Sequence, residues 1–327
     1  MANNPHISEI ITTTMWSRTG KLADNMTKNN ALLYRLNSKD RVKKITGGNV
    51  IRQELMYAEN TNTQWFSGYD VLNTAAQDVI TSAQFNIKQA STAVTMSGLE
   101  MLQKAGKEQI IDLASGRLDN AEKSLMNLVA LGLYSDGTAN GGKQIDGLAA
   151  AVPDDPTTGT YGGINRALWP FWQPKKYSGV TDGGAAVSAS NIVQYMNRLI
   201  RLISIGNAEG KPDLIVADNA FYSYFVESMQ SIQRVTKENT AMANAGFESL
   251  EYQGIPVIPD GNIGGGAGTN HMWFLNTNYL FFRPHAQRNF VPSDKITSIN
   301  QDATVQYLLW AGNLTCSGQR YQGVLIA

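Results

Sequence analysis

The strongest hydrophobic period in the chain runs from Lys104 to Leu133. Ile111, Ala114, Leu118, Ala121, Leu125 and Leu128 recur at steps of three and four residues, which lines one face of an α-helix. Lys104 with Glu108, and Asp119 with Lys123, set opposite charges four residues apart on other faces. Gly132 and the turn-forming YSDG of 134–137 supply the stop. At about 1.5 Å per residue the predicted helix spans about 45 Å. Gly116 is the interior position that works against it.

Upstream, the pattern turns strand-like. NVIRQELMYAEN and AQFNIKQASTAVTMSG predict two strands around the turn-rich NTNTQWFSGYDVLNT, a hairpin with a long apical excursion. Trp65, Phe66 and Tyr69 lie near its tip. A two-stranded arm is marginal in water and cannot bury three aromatics on itself, so they are predicted to dock on another chain. Residues 1–47 carry weak helical patterns between polar breaks and predict an extended arm with one short helix.

Downstream, helix and strand patterns alternate. Ile192, Tyr195, Met196, Leu199, Leu202 and Ile203 predict an amphipathic helix capped by Ser188 or Ser190. KPDLIVAD predicts a short buried strand, followed by a helix over NAFYSYFVESMQSIQR that begins at Asp218 or Asn219. FESLEYQGIPVIPDG reads as strand, Gln253-Gly254 turn, strand. The alternation suggests an α/β subdomain of about 100 residues. MWFL, YLFF, ATVQYLLWAGNLTC and RYQGVLIA close the chain as strands.

At 327 residues and 43% hydrophobic the chain can build a sizeable core, while 17% charged residues fall below the usual ~25%. Basic and acidic residues balance at 27 each, yet Arg18 to Arg52 holds nine basic residues against Asp24 and Asp40. Such a segment suits nucleic acid or an acidic surface on another subunit, and equally an ordinary solvated arm. Cys316 is alone, which excludes an internal disulfide and any multi-cysteine metal site. The N-terminus MANNPHISEI is polar and no apolar run approaches the ~20 residues of a membrane helix, so synthesis in the cytoplasm is expected.

Candidate chemistry is thin. PDGNIGGGAGTNHMWFLN has glycines at 261, 264, 265, 266 and 268, but no lysine lies between Asp260 and Arg283 and Thr269 holds the third dinucleotide-glycine place. Strand patterns follow it where a phosphate site needs a helix. A flexible return loop is expected, with backbone freedom at Gly264, Gly265 and Gly266. His6, His271 and His285 are scattered, and G-x-S-x-G is absent. Asp154-Asp155 reads as solvated turn carboxylates, Asp112, Asp119 and Glu122 as the wet face of the long helix, and Tyr222, Tyr224 and Phe225 as packing. No catalytic, cofactor-binding or metal-binding residue is expected.

ALGLYSDGTANGGKQIDGLAAAV is similar to the glycine-rich exit of the long helix in the major capsid proteins of tailed bacteriophages, the fold named after phage Hong Kong 97. GTYGGINRALWPFWQP, PDLIVADNAFYSYF, GFESLEYQGIPVIPD, FLNTNYLFFRPH and NQDATVQYLLWAGNLTC resemble consecutive segments of a podovirus and siphovirus branch of that family. The resemblance covers nearly the whole chain and implies an α+β Hong Kong 97-like capsid fold. Residues 1–47 would form the N-terminal arm and 48–99 the extended hairpin loop. Residues 100–163 and 270–327 would form the peripheral domain, with its spine helix at about 104–133, and 164–269 the axial domain.

On this resemblance the protein is a capsid protein that assembles as hexamers and pentamers into an icosahedral head around double-stranded DNA. Trp65, Phe66, Tyr69, Lys43, Lys44 and Arg52 are its candidate inter-subunit contacts. The expected partners are copies of itself, a separate scaffolding protein, a portal protein and packaged DNA contacted without sequence specificity, with a decoration protein left open. The long helix begins too early to leave room for a fused scaffold, and a chain beginning at Met1 implies no leader removal. Some relatives join subunits through a Lys–Asn bond; Lys88 is the only lysine of the hairpin region and no partner can be assigned, so none is expected. The virion is the expected location, after assembly in the host bacterial cytoplasm. An encapsulin-like nanocompartment shell and a soluble α/β enzyme are the rival readings; the basic arm and the phage-like segments favour the head.

Overall fold

The computed structural model describes residues 21–22, 24–25, 30–97, 107–204, 210–229, 250–260, 270–294, 296–297 and 302–327, with side chains of the long helix from residue 115 on. The glycine run at 261–269, the first residues expected of the long helix at 104–106, and Arg18 and Lys28 of the basic arm lie outside the described residues.

Helix α1, Ala31–Ser38, starts where the Asn30 side chain accepts the Leu33 N–H at 3.0 Å, an ordinary N-cap. It buries Leu32, Leu33 and Leu36. The chain then runs parallel to the later strand β11, Leu280–Pro292, with Val42 beside Phe282 and Ile45 beside His285. Strands β1, Val50–Met56, and β2, Ile80–Asn86, pair antiparallel from Val50–Asn86 to Met56–Ile80. Only Ile87 separates β2 from β3, Lys88–Ser97, which leaves the hairpin and pairs instead along β13, Ala303–Cys316.

Helix α2, Lys107–Gly132, passes through Gly116 without interruption. Leu118, Ala121, Leu125 and Val129 are buried, and Leu128 is 48% exposed. After Leu125 the buried face continues at i+4, not at i+3. Glu122 follows Leu118 by four residues and is buried, so it does not belong to the wet face expected for it. Beyond the helix, β4, Thr160–Tyr161, and β5, Ile164–Asn165, form a small hairpin.

The α/β part contains β6, Lys175–Ser178; α3, Ile192–Ile203; β7, Leu214–Ala217; α4, Asn219–Met229; β8, Leu250–Tyr252; β9, Ile255–Pro259; and β10, His271–Leu275. Residue Asn191, not either serine, stands at the start of α3, and its Oδ1 accepts the Ser188 N–H at 2.7 Å. Ile200 joins the buried face of α3, while Leu202 is 50% exposed. Asp218 caps α4 by accepting the Phe221 N–H at 2.8 Å. Gln253 and Gly254 both take positive φ, as a tight hairpin turn requires.

With β12, Ile296–Thr297, and β14, Gly323–Ile326, two main sheets are complete. Six strands run in the order β6-β14-β10-β7-β9-β8. The other sheet centres on β13, with β3 along one edge and β11 and β12 along the other. The six-stranded sheet thus draws β10 and β14 from beyond residue 269. Its core lies against α3 and α4, and a second core joins α1, the hairpin root, α2 and the β13 sheet.

Candidate inter-subunit surface

The period of two along β1 decides what the hairpin shows to its surroundings. Ile51 and Leu55 are buried, while Arg52, Glu54 and Met56 alternate with them and are exposed. Met56 and its partner Ile80 are both bare, at 81% and 61%.

Beyond this pair the excursion of residues 57–79 is tied at its base. The Tyr57 N–H donates to Val79 O at 3.1 Å, and the Tyr57 hydroxyl to Asp78 O at 2.6 Å. Thr61 donates to Gln77 at 2.8 Å, and Asn62 Nδ2 to Ala75 O at 2.6 Å. At the far end Ser67 and Asp70 close a turn on each other. Every residue from 63 to 78 is exposed. Trp65 and Tyr69 are as bare as in an unfolded chain, with Phe66, Val71 and Leu72 beside them in sequence. The tip therefore presents large apolar side chains with no core of its own chain to enter.

A second apolar feature lies at the hairpin root. Tyr57, Trp169 and Phe171 pack against one another with ring centroids 5.8–6.0 Å apart. With Asp78, Ile80, Thr81 and Ile164 they line a surface hollow of about 290 Å³. Trp172, two residues on from Trp169's neighbour Pro170, is instead buried and donates Nε1–H to Tyr161 O at 2.9 Å.

The basic candidates separate. Arg52 sits on the outer face of the stalk. Lys43 lies over the Phe281 ring, with Nζ 5.5 Å from its centroid. Lys44 is exposed one residue further along the arm. Arg283 joins Lys43 at Phe281, a neighbour that only the register of the arm on β11 reveals.

Elsewhere the polar groups serve the fold. Asp154 meets His271 at 2.7 Å, and that hydrogen bond holds its carboxyl below the ordinary range. Asp155 accepts from Thr157 and Thr158 in a local turn. Tyr134, at the exit of α2, donates to Asp260 at the end of β9 at 2.5 Å, and burial pushes its phenol well up. The Arg166 guanidinium is buried against Gln319 and the carbonyls of Ala150 and Ala151. Among the described residues no three His, Cys, Asp or Glu side chains could hold a metal ion, and no helix is long and apolar enough to cross a membrane.

No protein-family model and no curated protein matches the sequence. Solved structures do match in fold. The chain superposes on the cyanophage A-1(L) capsid with a TM-score of 0.66 at 17% identity, over 88% of this chain and 90% of that one. The capsid of Myoviridae phage XM1 gives 0.55 at 14% identity, over 89% and 91%. The capsid of a native GTA particle gives 0.56 at 9% identity, over 88% of both chains. Nearly end to end, with its long helix and two sheets, the chain has the α+β fold of tailed-phage capsid proteins, the Hong Kong 97 type.

Proposed function

We propose that this chain is a major capsid protein, assembling as hexamers and pentamers into an icosahedral head around double-stranded DNA. The observation that carries the proposal is the tip at 63–78, a set of bare aromatics held out on a two-stranded stalk of a fold that capsid chains share. Burying one such side chain on a neighbour contributes about 2 kcal/mol, and a closed shell repeats the contact in every subunit. In this reading residues 1–47 are the arm, 48–99 the extended loop, 100–163 and 270–327 the peripheral domain around α2, and 164–269 the axial domain. A separate scaffolding protein, a portal and packaged DNA are the partners it calls for, in a virion assembled in the bacterial cytoplasm.

The purified chain, with or without a scaffolding protein, is expected to give closed particles in electron micrographs. A population of monomers and dimers alone would overturn the proposal. Trp65→Asp is expected to leave the subunit folded, with an unchanged circular-dichroism spectrum, while preventing closure. Normal particles from that variant would remove the tip from the assembly contact.

A further inference from the structure

The arm and β11 lie side by side in register, so the period of two sets Arg41, Lys43, Phe281 and Arg283 on one face. Val42 and Phe282, between them, turn to the core. The guanidinium carbons of Arg41 and Arg283 stand 5.3 and 5.2 Å from the Phe281 ring centroid, and Lys43 Nζ stands 5.5 Å from it. A ring face attracts one cation readily. Three around one ring repel each other, because their separations are comparable to the ~10 Å screening length of 0.1 M salt.

No carboxylate among the described residues balances them. Among the described residues the ion pairs join Arg35 and Lys39 to Asp213, Lys88 to Asp146, and His271 to Asp154. Asp146 reaches the β13 sheet through Asn313, but Lys88 already holds it at 3.4 Å. Arg283 Nη2 donates to the neutral Gln53 side chain at 2.6 Å, and the Nε–H groups of Arg41 and Arg283 have no acceptor.

We infer that Arg41, Lys43 and Arg283 form a receptor for a carboxylate carried by a second copy of this chain. The inference rests on the shell reading. Charge complementarity favours a copy of the chain as the partner. With nine of 27 basic residues but two of 27 acidic ones between Arg18 and Arg52, the rest of the chain carries seven more negative charges than positive. The chemistry of the site agrees. Half-buried, planar guanidiniums suit a forked oxyanion, and the acidic excess of the rest of the chain supplies it as a carboxylate. Phe281 is 7% exposed under its cations and has no free face on which a base could stack.

Shells assembled from equal amounts of ¹⁵N-labelled and unlabelled subunits, treated with a water-soluble carbodiimide, test this directly. The reagent joins a lysine amine to a carboxylate in contact with it. The expected product is the Lys43 peptide joined to an Asp or Glu peptide in mixed heavy–light pairs, read by mass spectrometry. In parallel, Arg41→Gln/Lys43→Gln is expected to slow assembly about tenfold at low salt and to match the wild type in 1 M salt. Thermal melting of the free subunit checks that it remains folded, and Lys43→Gln alone, at an exposed position, serves if the double variant does not. Shells in which Lys43 couples to no other copy would overturn the inference. So would a variant that assembles normally but loses affinity for a duplex oligonucleotide, since the partner would then be nucleic acid. Wild-type chain that forms no shells would instead overturn the shell reading, and this one with it.

Discussion

Cys316 ends β13 opposite Leu280, fully enclosed in the core shared by the two sheets. Burial pushes its thiol up to about 12. The thiolate is the reactive form, so at pH 8 only about one folded molecule in ten thousand offers it. Alkylation by iodoacetamide is therefore expected to be at least about a hundredfold slower in the native subunit than in urea. Mass spectrometry of the labelled chain reads this, and native labelling at the unfolded rate would mean that the end of β13 opens on its own. The same burial has a pH consequence. The folded value lies above the ~8.5 of a free thiol, so unfolding releases a proton once the pH exceeds 8.5. The contribution of Cys316 is whole below that point and declines as pH rises towards 12.

At the scale of the element, the exit of α2 is held by close backbone approach. The Leu148 N–H donates to Leu133 O at 2.7 Å, and Ser135 Oγ bonds Gly132 O and Ile145 O at 2.9 and 2.6 Å. A Cβ on Gly147 would stand 2.5 Å from the carbonyl oxygens of both Gly132 and Leu133, and backbone cannot swing aside as a side chain can. Gly147→Ala is expected to destabilise the subunit by about 2 kcal/mol and lower its melting temperature by roughly 5 °C. Gly116→Ala, exposed within the same helix and with nothing within 4 Å, is expected to stabilise it by about 1 kcal/mol. Calorimetry of the two variants checks the contrast, and equal shifts would refute it. This element also shows what a sequence can reveal. The period of α2 and its glycine stop are local, and so was the Gln253-Gly254 turn. The departure of β3 from the hairpin at Ile87 and the entry of β10 and β14 into the six-stranded sheet depend on partners far along the chain. The candidate site divides in the same way. Trp65, Phe66 and Tyr69 are legible because a hairpin cannot bury them. The Phe281 cluster becomes visible only once the arm is laid on β11, which brings together residues about 240 apart in sequence.

For the whole molecule, folding and assembly draw on separate residues, and this can be tested by excision. Of residues 58–78 all but Asn62 are exposed, and no residue of either core comes from them. Tyr57 and Val79 already face each other across the ladder, so Asn-Gly can join them in a two-residue turn that suits the hairpin twist. The shortened subunit keeps both sheets, α2 and the Tyr57–Trp169–Phe171 contact. Its melting temperature is expected to stay within about 2 °C of the full chain, because what was removed buried nothing. Assembly is expected to stop, even at concentrations where the full chain forms closed particles, because each neighbour loses the apolar contact that a shell multiplies. Gly147→Ala should behave in the opposite way, with a lower melting temperature and an intact tip, so that shells still form below that temperature. Light scattering during assembly, beside melting curves of the free subunits, measures both variants. Closed shells from the excised chain would mean that the bare aromatics serve something other than the subunit contact.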